Sequence, residues 1–84
     1  MKDKIIIKYQ PFSVNQLILV VKNGAVVNSF STDIDRVNNV VNGFAKEYGI
    51  TNIEMHGNAD YLSKFKSSLN SQFASSGYNI EIKE

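Results

Sequence analysis

Apolar and polar residues alternate along several short segments of this chain, and that alternation predicts β-strands. From Lys4 to Tyr9, and again from Tyr78 to Lys83, apolar side chains occupy every second position, which is typical of a half-buried strand. In Leu17–Lys22 both sets of alternate positions are apolar, as expected of a strand inside a sheet. The predicted strands are Lys4–Tyr9, Leu17–Lys22, Ala25–Phe30, Ile50–Met55 and Tyr78–Lys83.

Two further segments carry apolar residues at helical spacing. The first follows the candidate N-cap Asp33, runs from Ile34 to Tyr48, and ends at Gly49. The second is predicted from about Ala59 to Ala74, and its buried side would carry Leu62, Phe65, Leu69 and Phe73.

The order of these elements predicts an α/β (α+β) fold of the form β-β-β-α-β-α-β. Asn23-Gly24 between two apolar runs indicates a tight hairpin, so the first three strands form an antiparallel meander. Right-handed crossovers through the two helices then add two parallel strands. The prediction is a single domain over residues 1–84, with a five-stranded mixed sheet of order 3-2-1-4-5 and two helices on one face.

This topology resembles the core of the ribonuclease-H-like superfamily, which includes the halves of actin-like ATPases, over Ile5–Ile82. Such nucleases hold two Mg²⁺ ions with clustered carboxylates, one of them on the first strand. The first strand here carries none, and the Gln10–Gln16 connection lacks the glycine of a phosphate-binding hairpin. A degenerate ribonuclease-H-like nuclease is therefore an alternative only, and no catalytic residue or metal ligand is assigned.

The opening IIIKYQPF and the small size are similar to short phage and prophage proteins of low-GC bacteria. That resemblance implies an inhibitor or adaptor that acts on another protein.

Composition narrows the possible chemistry further. The chain has no cysteine, one histidine and a formal charge of +1, which excludes disulfides, thiolate metal sites and multi-histidine sites. We therefore expect no cofactor. The apolar runs are far shorter than the roughly 20 residues that span a bilayer, so we expect a cytoplasmic protein without membrane contact.

The turn after the fourth strand is a candidate ligand site. His56, Gly57 and Asn58 stand where a strand ends and a helix begins, a place that suits small anions or nucleotides. Asp60 opposes this hypothesis, because a carboxylate at a helix start competes with an incoming anion. The structural alternative is that Asn58 or Asp60 caps the helix.

One helix layer would leave the other face of the sheet uncovered, and an apolar patch with a charged rim on such a face favours protein contacts. Counting alternate positions assigns to that face Lys4, Ile6 and Lys8, then Ile18, Val20 and Lys22, then Ala25 and Val27, then Asn52, Glu54 and His56, and finally Asn79, Glu81 and Lys83. The predicted partner-binding residues are Ile6, Lys8, Ile18, Val20, Lys22 and Val27.

The function predicted from this pattern is that of a small non-enzymatic module that binds a protein, or itself as a homodimer, through the open face or an edge strand. Few lysines and no stacking aromatics on the face argue against nucleic acid.

Overall fold

A computed structural model describes residues 3–10, 12–58, 60 and 77–83 of the chain. These residues form five strands, one α-helix and a single 3₁₀ turn. In chain order the elements are β1 (Lys4–Lys8), β2 (Asn15–Lys22), β3 (Ala25–Asp33), the 3₁₀ turn (Ile34–Arg36), α1 (Val37–Tyr48), β4 (Asn52–His56) and β5 (Asn79–Lys83).

The strands form one mixed sheet in the predicted order 3-2-1-4-5. β1 pairs antiparallel with β2 and β2 pairs antiparallel with β3, whereas β4 lies parallel to both β1 and β5. The predicted meander and the two parallel additions are therefore confirmed.

The hairpin between β2 and β3 turns at Asn23-Gly24, as predicted. Both residues have positive φ, 55° and 81°, which is the backbone of a type I′ turn and explains why this dipeptide occurs there. The ladder that follows is not regular throughout. Its register shifts between Val20 and Val21, so that Val27 is an extra, bulged residue of β3.

Local signals set both ends of the helical segment. The Asp33 carboxylate accepts the N–H of Arg36 at 3.2 Å and caps the 3₁₀ turn that leads into α1. Gly49 ends α1 in the left-handed conformation, at φ 66°, where a side chain would be strained.

The core lies between α1 and one face of the sheet. From α1, Val37, Val41 and Ala45 are buried at the spacing of a helical stripe. They pack in one buried apolar cluster with side chains of the sheet and its flanking loops, namely Ile5, Ile7, Tyr9, Ile18, Val20, Ile50, Ile53 and Met55.

The placement of Ile18 and Val20 on the uncovered face is wrong. In the antiparallel pair of β1 and β2, Ile5 stands opposite Val20 and Ile7 opposite Ile18. Directly paired residues share a face, so Ile18 and Val20 follow Ile5 and Ile7 into the core and are fully buried.

Lys22 and Val27 also lie elsewhere than predicted. Lys22 is on the helix side of the sheet, where its Nζ donates to the Tyr48 carbonyl at 3.2 Å. A cation at the carbonyl end of a helix is favourably placed, which explains why a charged residue occupies this side. Ala25 pairs with Lys22 and shares its face, and Val27 is the unpaired residue of the bulge.

The second predicted helix, Ala59–Ala74, lies outside the described residues apart from Asp60. The described part of the chain therefore contains one α-helix, and the arrangement of two helices on one face stays a prediction.

A buried glutamine organises the connection between β1 and β2. The Gln16 Oε1 accepts the Gln10 N–H at 2.5 Å, and its Nε2 lies 3.4 Å from the Gln10 carbonyl and 3.3 Å from that of Ser13. The side chain thus pairs with the loop backbone as a short strand would, and β2 begins at Asn15, two residues earlier than predicted. The loop nevertheless leaves Phe12 and Val14 exposed.

Replacing Gln16 with methionine should lower the free energy of unfolding by roughly 1–3 kcal/mol, because the partly buried Gln10 N–H and Ser13 carbonyl lose their side-chain partner. Urea denaturation measures this loss. Asn15→Ala, at the exposed neighbouring position, is the control and should change stability by no more than about 0.5 kcal/mol. Equal midpoints for the two variants would show that the amide contacts of Gln16 contribute nothing.

Candidate functional site: the open face of the sheet

The sheet face opposite α1 is the candidate site, and we call it the open face because no described element packs on it. Strand register arranges its side chains in three rows that cross the sheet from β3 to β5. The first row is Val26, Val21, Lys4, Asn52 and Asn79, the second is Ser29, Leu19, Ile6, Glu54 and Glu81, and the third is Ser31, Leu17, Lys8, His56 and Lys83.

One half of the open face is apolar. It comprises Leu17, Leu19 and Val21 of β2 with Ile6 of β1, all partly accessible to solvent, and Val26 of β3, which is 56% exposed. Of these five residues, only Ile6 was predicted to lie here. The other four lie here in place of Ile18, Val20 and Val27. The open face carries the opposite set of alternate residues of β2 from the set that was predicted.

The other half of the open face carries charged and amide side chains, and Glu54 of β4 is at its centre. Only 8% of Glu54 is exposed, although it faces the side of the sheet that α1 leaves open. Its carboxylate lies 2.5 Å from the Lys4 Nζ and 3.5 Å from the His56 Nε2. Glu54 thus links the middle strand, β1, to the end of β4.

The hydrogen bond from Lys4 is the main reason that the pKa of Glu54 is lowered. Partial burial opposes this effect, and the charge of Lys4 and the proximity of His56 add to it. The carboxylate therefore stays ionised at neutral pH and acts as a fixed acceptor on the open face.

His56, the first of the predicted ligand-site residues, lies on the open face beside Glu54. Its Nε2 is buried and has no good hydrogen-bond partner among the residues that the structure describes, since the Glu54 oxygen lies 3.5 Å away. This weak contact with the ring is a minor cause of the lowered pKa of Glu54, after the hydrogen bond and the charge of Lys4.

Amide and ionic contacts occupy the remaining charged half. Asn79 donates to Asn52 at 3.2 Å, Asn52 donates to the Asp3 carbonyl at 3.3 Å, and Lys83 lies 3.4 Å from Glu81. Lys8 is exposed and pairs with no carboxylate among the described residues, so it offers a cation to a partner.

The open face is concave. A depression of about 800 Å³ lies against it, between Val26 at one end and Glu81 and Lys83 at the other, with Lys4, Ile6 and Glu54 on its floor. Because the depression is open to solvent and not enclosed, its shape suits another protein surface or an extended peptide.

The predicted anion site at the strand-to-helix turn has little donor capacity left. The Gly57 N–H donates to the Lys83 carbonyl at 3.1 Å, and the Asp60 N–H donates to the Asn58 side chain at 2.9 Å. The Asn58 side chain is therefore occupied within the turn itself, as the alternative of a capping role requires. His56 faces Glu54, so the three predicted residues do not converge on one point.

No group of three or more histidine, aspartate or glutamate side chains in the described ranges is close enough to hold a metal ion. β1 places Lys4, Ile6 and Lys8 on the open face and Ile5 and Ile7 in the core, so it supplies no carboxylate. Residues 3–10, 12–58, 60 and 77–83 also include no helix with the length and apolar character needed to cross a bilayer.

Comparison with protein-family models, with curated proteins and with solved structures gives no match for this chain. The geometry of the open face is therefore the guide to function.

Replacing Glu54 with glutamine should destabilise the protein by roughly 1.5–3 kcal/mol at pH 7, the usual value of a hydrogen bond to a charged group. Since the pKa of Glu54 is lowered on folding, its stabilisation is present above the ordinary glutamate pKa of about 4.3 and is lost as the pH falls through the lowered value. The gap between wild type and Glu54→Gln should therefore narrow below about pH 4.

Urea unfolding at a series of pH values measures that gap. The control is Glu81→Gln on the neighbouring strand, because the Glu81 side chain is 67% exposed and its ion pair with Lys83 is weakly stabilising. A Glu54→Gln gap that does not change between pH 7 and pH 3 would contradict the role given to the carboxylate.

Proposed function

We propose that this protein is a small non-enzymatic binding module that docks another protein on its open face. The observation that carries the proposal is the division of that face into an apolar half around Leu19 and a charged half around Glu54, with no described element packed over either. Interfaces commonly combine a desolvated apolar centre with a polar rim in this way.

The apolar half provides a limited driving force. Burying one Leu, Ile or Val side chain completely is worth roughly 1.5–3 kcal/mol, and these five are already partly covered, so about 1 kcal/mol each is a reasonable estimate. The sum is near the lower end of the free-energy cost of association, about 4–15 kcal/mol. We therefore expect modest affinity from one open face alone.

The charged half would select the partner. Lys8 is exposed without an ion pair to any described carboxylate, and Lys83 and Glu81 pair only at the exposed edge. A partner with an apolar patch and a carboxylate opposite Lys8 would gain attraction and orientation there. Glu54 already forms an ion pair with Lys4, so it would add to the shape of the surface and little to the attraction of a partner.

The proposal includes a relation to the ribonuclease-H-like fold, which would explain the topology of the sheet. The strand order 3-2-1-4-5 supports it. Because β1 supplies no carboxylate, the proposed role is that of an inhibitor or adaptor of another protein and not of a nuclease.

A photo-crosslinking amino acid at Leu19 tests the proposal. We expect it to capture a defined protein in cells, whereas the same group at Glu47, exposed on α1, should not capture that protein. Binding of the purified candidate is then measured by calorimetry. Leu19→Lys should weaken it at least tenfold while the melting temperature falls by only a few degrees.

Asn39→Lys, at an exposed position of α1, is the matched control, because it adds the same single positive charge on the opposite side of the molecule and should bind like wild type. If both variants bind equally well, the open face is not the docking surface.

A further inference from the structure

The outer edge of β3 is the longest uncovered backbone in the described part of the molecule. β3 has nine residues and carries no charge from Ala25 to Thr32, and Val26, Val27 and Phe30 are about half exposed. The opposite edge strand, β5, has five residues and carries Glu81 and Lys83. Charges of that kind discourage pairing with another strand, and β3 lacks them over eight residues.

The register of β3 determines which backbone groups point outward. The Ser29 N–H donates to the Asn28 side chain at 2.8 Å, so it faces away from β2. Groups alternate along an antiparallel strand, and Ser31 therefore also points outward, whereas Phe30 between them directs its backbone to β2.

We propose that β3 pairs antiparallel with β3 of a second copy of this chain, about a two-fold axis at Phe30. Ser29 then stands opposite Ser31 of the second copy, and Ser31 opposite Ser29, so that both pairs exchange two backbone hydrogen bonds. The two Phe30 residues face each other as the closer, non-hydrogen-bonded pair, and their rings pack together on the helix side of the joined sheet.

A second copy fits this edge better than an unrelated strand does. The outward residues lie symmetrically on either side of Phe30, so one register satisfies both copies equally. No like charges meet, since the pairing segment is uncharged. The bulge at Val27 ends the regular ladder, and the charged edge of β5 cannot extend it, so the assembly closes as a dimer.

Pairing has one local cost, because Asn28 must give up its bond to the Ser29 N–H. The second copy returns a carbonyl acceptor to the same N–H. Neither open face is covered by this pairing, so the inference does not rest on the proposed function.

Cysteine cross-linking tests the register directly, because the natural chain contains no cysteine. In Phe30→Cys the two Cα atoms lie about 4.5 Å apart across the two-fold axis, within the Cα separation that a disulfide spans. In the control Val27→Cys the thiols are six residues out of register, roughly 20 Å apart. Exposure is matched, at 49% for Phe30 and 50% for Val27.

We expect Phe30→Cys to form disulfide dimers at least tenfold faster than Val27→Cys under mild oxidation at micromolar concentration. Equal rates would overturn the proposed register.

Light scattering coupled to size exclusion measures the assembly without a cross-link. Wild type should be a dimer at high concentration, and a monomer at every concentration would overturn the inference. Ser31→Pro removes an outward N–H that β2 does not use, so the fold should persist by circular dichroism while the dimer is weakened at least tenfold.

Leu19→Lys separates this inference from the proposed function. It should leave the dimer intact, because Leu19 lies on β2, one strand away from the seam, and makes none of the hydrogen bonds of the β3 pairing. A dimer that is lost in Leu19→Lys and kept in Ser31→Pro would place self-association on the open face and overturn the edge pairing.

Discussion

The pairing of β1 with β2 is the constraint on which the rest of this structure depends. β1 is the middle strand, and Ile5 and Ile7 are its core-facing residues. Val20 and Ile18 lie directly opposite them, so Leu17, Leu19 and Val21, the alternate residues of β2, lie on the open face. A shift of one residue would exchange the buried and exposed sets of β2, so this register determines both the core under α1 and the surface offered to a partner.

The parallel neighbour of β1 completes the second half of that surface. β4 sets Glu54 opposite Ile6, next to Lys4 on the same face of β1. The carboxylate is held by a cation from another strand, so an ion pair joins β1 and β4 where no hydrophobic layer of the described chain covers them. Without Lys4, the Glu54 carboxylate would be largely shielded from water and would have no cation to compensate its charge. Loss of Lys4 alone should therefore destabilise the protein.

Local sequence signals predicted the five strands, the first helix and the order of the strands in the sheet, but they did not predict which way β2 faces. Asn23-Gly24, Asp33 and Gly49 each have a conformational preference that depends on near neighbours alone, and each is where it was expected. Every residue of Leu17–Val21 is apolar, so the alternation of apolar and polar residues cannot indicate which of them face the core. Its orientation follows from pairing with β1, a contact between segments far apart in sequence.

The lysine at the end of β2 shows how the count of alternate positions misled. Lys22 was assigned to the open face together with Ile18 and Val20, yet its stem runs along the helix side and its Nζ reaches the Tyr48 carbonyl. The bulge at Val27 is equally hidden from the sequence, because it depends on how β3 twists against β2. Both errors come from tertiary contacts that a local pattern does not contain.

The size of the open face links the two proposed interfaces. Five strands that average about six residues cover only about 500 Å² in projection, whereas a standard interface buries about 800 Å² on each partner. Pairing two β3 strands would bring the apolar halves of both copies together, with Leu17 and Leu19 on either side of a seam of Ser29 and Ser31. The charged halves around Glu54 would then lie at the outer ends. Edge pairing would thus supply the area that a single open face lacks.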